Sequence, residues 1–536
     1  MKKRTVALMV CMTFISLWMA ASICMAAKAD GVLRVGWTQE PRTLNPMGYD
    51  TIQGGMIMRS MIYDTLVAYD ETLEPAPMLA KSWKVSDDGL VWTFDIVTRA
   101  KWHDGRALTS ADIAFTYQYI LDNEIPNFIN YLKGVEKVTA PDPETLELTY
   151  TAPIASTLSD LSNIFIVAKH KWENIAGDGA VKYENASPLG SGPFMLEVWK
   201  KNDHMTFKVN KDYWRISPSI KQVVFVFFSS PDPMIMSLKQ GDIDVIGSEL
   251  TPVAARALSR DSKIKVVKTP NLYYRHICIN CSDFGQGHPA LRDARVRRAL
   301  TMMVDKEYLV KMIHGGFATP GVSLVMDALP FYFNDDIVPY AKDADRAAAL
   351  LDEAGWQMGK DGVREKDGNA LRLKLLVISR WPEEMRAAEM IRQWWKEIGV
   401  ELTLQSADGG TILAELFPDY KHDMYLWGFS GQPDPNFSLL IYLSSQLQKW
   451  NGAGYQNAAY DALFAAQQKA VDPAERQQII YQMQEIHYRD CPSIVLYYMK
   501  AVGAYRSDDL EGFYENTPGG LISFLNRDNF TRLRFK

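Results

Sequence analysis

The segment from Leu371 to Leu404 changes its hydrophobic period twice, and this pattern restricts the fold more than any other part of the sequence. Leucines alternate with charged residues over 371–375, which is typical of a half-buried strand. Apolar side chains then recur on one helical face, and the helix is expected to end before Gly399. Alternation returns from Val400, and a strand–helix–strand unit of this kind is nearly always a parallel crossover. The chain is therefore predicted to contain an α/β layer with parallel strands.

Similar elements recur along the 536 residues of the chain. Short strands are predicted at 33–37, 91–97 and 146–150, and a helix is predicted to begin near Thr109 or Ser110, since either residue is a suitable N-cap. One hydrophobic core stops growing at roughly 250–300 residues, so a chain of this length is expected to form two or more lobes. Because no Gly/Ser-rich linker divides the sequence, we expect ordered strands to join the lobes.

The first 29 residues have the three parts of a secretory signal peptide. Basic residues at 2–4 precede an apolar stretch from Val6 to Ile23, and Ala27-Lys28-Ala29 supplies the small residues that signal peptidase requires. We expect cleavage after Ala29 and a periplasmic protein. Two alternatives stay open. The apolar stretch can be retained as a membrane anchor, or Cys24 can be acylated to tether a lipoprotein. Acylation sites have Gly or Ala directly before the cysteine, whereas the bulky Ile23 stands there in this chain.

Three cysteines lie beyond the signal segment: Cys278, Cys281 and Cys491. The first two have the spacing of half a zinc or redox site, but no second C-x-x-C motif completes it. We therefore expect no metal site and no cofactor. The cysteines are interpreted as core thiols or as one disulfide plus a free thiol, and the sequence leaves the pairing open.

Two function classes receive little support from the sequence. Lys and Arg total 58 against 64 Asp and Glu, and a net charge of −6 on a chain of this size argues against nucleic acid as a partner. For an exported hydrolase, the nearest motif is Gly428-Phe-Ser430-Gly431-Gln432, which lacks the final glycine of a nucleophile elbow. No catalytic residue is assigned on this basis, and a hydrolase is kept as the alternative from a different class.

A series of short motifs recurs in a consistent order over most of the chain. In the first part they are Tyr63–Asp70, Pro77–Trp83, Ser86–Phe94 and Lys101-Trp-His-Asp-Gly105 through Asp112. Further on they are Gly190-Ser-Gly-Pro-Phe194, Asn210–Trp214, Gly241-Asp-Ile-Asp244, Asp293–Leu300, Asp305–Glu307, Leu350–Trp356, Trp427–Pro435 and Asn451–Asn457. In this order and spacing the chain resembles the family 5 extracellular solute-binding proteins of ABC transporters, of the dipeptide/oligopeptide-binding type.

The resemblance implies a two-lobed α/β fold of the type II periplasmic-binding-protein kind, hinged by two strands. The first lobe is expected to comprise residues 30–272 and 501–536, with an extra subdomain within about 76–189, and the second lobe residues 273–500. A ligand is expected to bind between the lobes, and membrane permease subunits are expected to recognise the closed form. We expect a monomer that captures a peptide or peptide-sized solute without converting it. An oligosaccharide or another small solute is the alternative ligand.

The resemblance also implies binding residues in the second lobe. Peptide-binding relatives have a Trp, here Trp427, followed three residues later by an Asp that grips the α-ammonium of the peptide. The corresponding residue here is Ser430, which accepts a hydrogen bond but carries no charge. Asp434 and Asp50 are candidate substitutes, unless the ligand lacks a free amino terminus at this place. Trp427 is predicted to form a stacking wall for the ligand.

The loop after the first strand faces the cleft in this family. Tyr49, Asp50 and Gln53 fall in this loop, where an aromatic ring, a carboxylate and an amide can each contact a polar ligand. They are predicted to line the first-lobe side of the cleft.

Overall fold

A computed structural model of the protein describes residues 31–49, 51–247, 250–516, 518–521 and 528–536. It is a mixed α/β structure of two lobes that share one 11-stranded sheet. The predicted signal peptide and Asp50 lie outside the described residues.

The strands follow one another along the described chain in this order: β1 Val32–Trp37, β2 Val67–Tyr69, β3 Pro75–Pro77, β4 Ala80–Val85, β5 Val91–Ile96, β6 Val135–Asp142, β7 Thr145–Tyr150, β8 Phe194–Lys200, β9 His204–Val209, β10 Gln222–Phe227, β11 Val245–Ile246, β12 Ile264–Ile279, β13 Ala318–Pro320, β14 Gln357–Met358, β15 Arg364–Lys366, β16 Asn369–Ala370, β17 Arg372–Ile378, β18 Glu401–Ala407, β19 Met424–Ser430, β20 Ser493–Arg506, β21 Leu510–Glu511 and β22 Arg534–Phe535.

The α-helices of the same residues are α1 Ile52–Ile57, α2 Ser110–Asp122, α3 Thr157–Ser162, α4 Lys169–Trp172, α5 Asp178–Lys182, α6 Pro231–Gln240, α7 Pro252–Leu258, α8 Ala294–Met302, α9 Lys306–Leu309, α10 Ala344–Glu353, α11 Pro382–Glu397, α12 Gly409–Leu416, α13 Asn436–Leu440, α14 Ala458–Gln467, α15 Pro473–Asp490 and α16 Asn529–Arg532. Two π-helical turns, Met58–Ile62 and Val310–His314, extend α1 and α9. None of the helices described combines the length and apolar character that crossing a bilayer requires.

The predicted strand–helix–strand unit is confirmed as β17, α11 and β18. β17 and β18 pair in parallel from Arg372 opposite Glu401 to Ile378 opposite Ala407. The apolar face of α11 is buried, and the indole N–H of its Trp395 donates to the carbonyl of Leu300 at 3.0 Å. Gly399 has a φ of +77°, a conformation that favours glycine and ends the helix as the sequence predicts.

Two strands, β12 and β20, are much longer than the others and pair with each other in antiparallel fashion. They occupy the middle of the strand order β18-β17-β19-β12-β20-β11-β1-β10-β9-β8, and β13 pairs with β20 beside it. Residues 273–279 of β12 pair with β19, whereas residues 504–505 of β20 pair with β11. Each of the two long strands therefore runs through both lobes.

The pairing of β12 with β20 is interrupted near its middle. It is regular from Ile264 to Pro270 and resumes at Tyr274 after a register shift. An irregularity of this kind bends a strand and increases its local twist. The predicted lobe boundaries at 272/273 and 500/501 fall at this point and stay a prediction.

Separate apolar cores lie on the two sides of the long strands. The core of the first lobe includes Leu33, Phe94 and Phe225. The second lobe has one cluster around Trp395 and another around Tyr274. A separate antiparallel sheet, β4-β5-β7-β6, lies within the segment predicted as the extra subdomain.

Candidate functional site

The second lobe presents three parallel strands to the middle of the long strands. β17 is parallel to both β18 and β19, so their carboxyl ends at Ile378, Ala407 and Ser430 lie along one edge of the sheet. Ser430 is paired with Tyr273, close to the register shift of β12. This edge therefore lies where the chain crosses from one lobe to the other.

The first lobe presents its own parallel strands to the same place. β1 is parallel to β10 and to β11. Val245 of β11 pairs with Tyr505 of β20 and Ile246 pairs with Ala504, so β11 runs toward the middle of β20. Ligands of open α/β sheets bind beyond the carboxyl ends of parallel strands. The carboxyl ends of the parallel strands of both lobes converge on one region. The space between the two lobes at this region is therefore the candidate site.

Trp427 and Ser430 lie on β19, at the second-lobe edge. The ring of Trp427 is half-buried and packs against the cluster around Tyr274. A Cβ atom at Gly409, the first residue of α12, would lie 3.1 Å from its ring, so this glycine makes room for the indole. Ser430 is exposed at the end of the strand. Their contact with a ligand stays a prediction.

Asp434 forms a buried ion pair inside the second lobe. Its Oδ2 lies 2.5 Å from Nη1 of Arg476 and its Oδ1 lies 2.8 Å from Nη2, and Oδ1 also accepts a hydrogen bond from the backbone N–H of Asn436 at 2.9 Å. Both side chains are at least nine-tenths buried. A ligand ammonium at Asp434 would therefore have to share the carboxylate with Arg476.

Tyr49 and Gln53 flank the start of α1 in the first lobe. The ring of Tyr49 packs against Phe128 and Phe165, with centroids 6.2 and 5.9 Å apart, and burial raises the pKa of its phenol. Gln53 is half-buried in the first turn of α1. The helix is capped by Thr51, whose Oγ1 accepts from the N–H of Gly54 at 3.2 Å.

Tyr131 connects the two groups of predicted residues. It lies near Tyr49 in the first lobe and beside the side chain of Gln432, two residues after Ser430, which lowers the pKa of its phenol. Burial is the main cause that raises the pKa of Tyr131, and the nearby Asp160 adds to it. The first-lobe loop and the segment after β19 therefore approach each other around this tyrosine.

Two first-lobe carboxylates face the Asp434–Arg476 pair. Burial raises the pKa of Asp160 to about 8, with Asp434 adding to the shift and the hydrogen bond from Ser156 opposing it. Burial, followed by Asp70 and Asp434, raises the pKa of Glu74 to about 7. In both cases Arg476 acts in the opposite direction. Near neutral pH these two groups are therefore shifted toward their protonated forms.

A second buried ion pair lies at the amino end of α11. Nε of Arg275 donates to Oε1 of Glu384 at 2.9 Å, and the guanidinium carbon lies 3.7 Å from the ring centroid of Trp381 and 4.2 Å from that of Tyr273. The hydroxyl of Tyr497 donates to the other oxygen of Glu384. Because Arg275 is on β12 and Tyr497 on β20, Glu384 ties both long strands to the helix.

Sequence reasoning missed several residues around the cleft: Glu74, Tyr131, Asp160, Trp381 and Arg476. No local motif marks them, because they belong to segments that are far apart in the chain. Trp381 had the clearest signal, since it lies between a predicted strand and a predicted helix.

The three cysteines within the described residues form no disulfide. Cys278, Cys281 and Cys491 are free thiols, with Cys278 and Cys491 buried, and burial raises the pKa of each thiol. Within the described part of the chain, no three His, Cys, Asp or Glu side chains are grouped closely enough to hold a metal ion.

Known proteins similar to this chain share most of its length. It is 26% identical over 467 residues to a dipeptide-binding protein of Escherichia coli, covering 81% of this chain and 83% of the relative. It is 27% identical over 546 residues to the oligopeptide-binding protein AppA of Bacillus subtilis, covering 96% and 97%. Among solved structures, the ABC transporter substrate-binding protein CtaP of Listeria monocytogenes matches with a TM-score of 0.80 at 25% identity, over 95% of this chain and all of that one.

A family model describes the region that holds most of the candidate site. The model of the bacterial extracellular solute-binding proteins, family 5, matches residues 74–450. This range contains the three parallel strands of the second lobe and the carboxyl groups of Glu74, Asp160 and Asp434. The chain therefore belongs to the family 5 bacterial extracellular solute-binding proteins.

Proposed function

We propose that this protein binds a peptide or peptide-sized solute between its lobes, outside the cytoplasmic membrane, and delivers it to the permease subunits of an ABC importer. The observation that carries this proposal is the convergence of the carboxyl ends of parallel strands from both lobes on the middle of β12 and β20. The relatives named as dipeptide- and oligopeptide-binding proteins support peptides as the ligand class.

The mechanism follows from the two continuous strands. The first lobe, residues 30–272 and 501–536, and the second lobe, residues 273–500, move as bodies about the register shift in β12. A ligand that contacts both faces stabilises the closed arrangement, because only that arrangement satisfies both sets of contacts. The ligand is released unchanged, and the protein acts as a monomer without enzymatic activity.

Tyr49, Asp50 and Gln53 are proposed to contact the ligand from the first lobe, and Trp427 and Ser430 from the second. Asp434 is proposed to act through its pair with Arg476, which sets the charge at one end of the cleft. Because Ser430 offers no negative charge, the free amino group of a peptide is expected to contribute less to affinity than in a site with a carboxylate there.

Calorimetric titration of the purified protein with di-, tri- and longer peptides, each with a free and an acetylated amino terminus, tests the ligand class. Saturable binding with little difference between the two forms is expected. Ser430→Asp is expected to tighten binding of the free form alone, and Ser217→Asp, an exposed first-lobe control, is expected to change neither. If only oligosaccharides bind, with affinity lost in Trp427→Ala, the ligand class is wrong.

The alternative that the protein is an exported hydrolase is tested with the same peptides. Mass spectrometry of the peptides after incubation is expected to recover them unchanged. Cleavage that disappears in Ser430→Ala would replace the binding function with a catalytic one. The mass of the amino-terminal peptide of the exported protein decides between cleavage after Ala29, acylation at Cys24 and a retained anchor.

A further inference from the structure

The turn that joins β2 to β3 is an internally stabilised loop. Oδ1 of Asp70 accepts hydrogen bonds from the N–H of Thr72 at 2.8 Å, from its hydroxyl at 2.7 Å and from the N–H of Glu74 at 3.0 Å. The backbone N–H of Asp70 in turn donates to the carbonyl of Glu74 at 2.9 Å. These bonds contribute to the shape of the turn.

Leu73 in this turn combines an unfavourable backbone with complete burial. Its φ is +65°, in the left-handed region that leucine rarely adopts. Its side chain is 2% exposed although the neighbouring Glu71 and Thr72 are exposed. Backbone strain of this kind persists only where surrounding contacts compensate for it.

The apolar cluster that buries Leu73 belongs mainly to the opposite lobe. Leu73 belongs to a buried apolar cluster whose other buried members run from Leu272 to Tyr498. Tyr69, at the end of β2, packs against the same cluster, and its hydroxyl lies 2.8 Å from the hydroxyl of Ser159. The hairpin is therefore anchored in the first lobe while its tip is buried in the second.

Neighbouring segments join the lobes at the same side. The backbone N–H of Ala155 donates to the carbonyl of Gln468 at 2.9 Å. A Cβ atom at Gly89 would lie 3.4 Å from Cγ1 of Val471. These contacts connect the lobes without passing through β12 or β20, so they exist only while the lobes are together.

We propose that the tip of the β2–β3 hairpin is a latch, in which Leu73 docks into the second lobe and holds the two lobes closed. This inference rests on the proposed function, since a latch matters only in a protein that opens and closes. Opening exposes a leucine side chain and leaves its strained backbone uncompensated, whereas closure buries the side chain. The latch therefore favours the closed arrangement independently of any ligand.

The test measures how often Ala155 and Gln468 meet in protein stripped of ligand. A double variant, Ala155→Cys with Gln468→Cys, is oxidised under limiting conditions, and the disulfide is identified by peptide mass mapping, which separates it from products of the native thiols. Adding Leu73→Asn is expected to slow cross-linking at least about tenfold, because the burial of one leucine is lost. Asparagine tolerates positive φ, so the turn itself is retained.

Two matched controls define the alternatives. Leu73→Met, which keeps an apolar side chain of similar volume, and Glu71→Ala, at an exposed neighbouring position in the same turn, are expected to retain the fast rate. Small-angle scattering of the unliganded Leu73→Asn protein is expected to give a larger radius of gyration than the parent. Equal cross-linking rates and equal scattering for parent and Leu73→Asn overturn the latch, even if peptides bind. Failure of peptide binding with a slowed cross-link overturns the proposed ligand and leaves the latch in place.

Discussion

The two lobes share one sheet but bury ionisable groups in different ways. In the second lobe, burial is the main cause that lowers the pKa of His276 and His487 to about 3 and of His314 and His422 to about 4. The described histidines of the first lobe are partly exposed, and its buried ionisable groups include carboxylates such as Asp64.

The partners of these groups explain the difference. Asp64 accepts hydrogen bonds from the hydroxyl of Ser191 at 2.7 Å and from the indole of Trp214 at 3.1 Å, so polar donors surround this buried carboxyl group. The buried imidazoles of the second lobe are instead kept neutral by their surroundings. Protonation of these imidazoles in acid therefore destabilises the second lobe.

The largest expected effect is a loss of stability in acid that is concentrated in the second lobe. The four buried imidazoles are neutral in the folded protein, but in the unfolded chain they bind protons near pH 6.5. Their stabilising effect is complete above pH 6.5 and is lost as the pH falls toward 4 and 3. Each group contributes a slope of about 1.4 kcal/mol per pH unit. Hydrogen exchange at pH 7 and pH 5 is expected to show protection lost first in second-lobe peptides.

The control for the acid effect is His422→Gln, which keeps a polar side chain that does not titrate. It is expected to reduce the pH dependence of second-lobe protection relative to the parent. Equal losses of protection in both lobes would contradict the contrast drawn from the buried histidines.

A smaller effect is expected when the Arg275–Glu384 pair is broken. Arg275→Ala leaves the buried carboxylate of Glu384 without its cation, and such losses destabilise proteins by about 3–5 kcal/mol. Denaturant titration followed by Trp fluorescence measures the change. Arg372→Ala, which removes an exposed pair with Glu401, is the matched control and is expected to be neutral. If Arg275→Ala does not change the free energy of unfolding, Glu384 is held in its protonated, uncharged form.

The corresponding change in the first lobe is Asp64→Ala. It leaves the buried donors of Ser191 and Trp214 without their acceptor, which is expected to cost about 1–3 kcal/mol in the free energy of unfolding. Exchange protection of first-lobe peptides is expected to fall while the second lobe is unchanged. If both lobes lose protection together, they unfold as one unit, and the different buried groups of the two lobes do not give them separate stabilities.

The smallest expected effect is the loss of a helix N-cap, which is expected to cost the same in both lobes. Thr251 caps α7 in the first lobe by accepting from the N–H of Ala254 at 3.2 Å, and Asp472 caps α15 in the second by accepting from the N–H of Glu475 at 2.8 Å. Alanine at either position is expected to cost about 1 kcal/mol in thermal unfolding experiments. Clearly unequal costs would place the difference between the lobes in their helices as well as in their cores.

Local features of the sequence predicted much of the fold. The unit from β17 to β18 and the start of α2 at Ser110, with Thr109 as N-cap, are confirmed, although β17, α11 and β18 each extend beyond the residues whose pattern predicted them. These elements were predictable because hydrophobic period and capping are properties of adjacent residues. Gly190 was noted only as part of a short motif, and the structure gives the reason for glycine there, because a Cβ at this position would clash with the carbonyl oxygen of Ile62.

The candidate site was only partly predictable. Trp427 and Ser430 were predicted because a motif surrounds them, and both lie on β19, at the second-lobe edge of the candidate site. The pairing of Asp434 with Arg476 was not, because it joins residues 42 positions apart on different elements. Glu74, Asp160 and Tyr131 were missed for the same reason, since their proximity depends on how one lobe meets the other.

The sequence alone determined the α/β class, the number of lobes and the family, because alternation, helical period and ordered motifs record local burial and local turns. The tertiary structure decided which charges are neutralised, which imidazoles stay neutral and which side chains connect the lobes. These properties depend on distances and on exclusion of water between segments remote in the chain. Electrostatic interactions and burial act through space, and no local pattern encodes them.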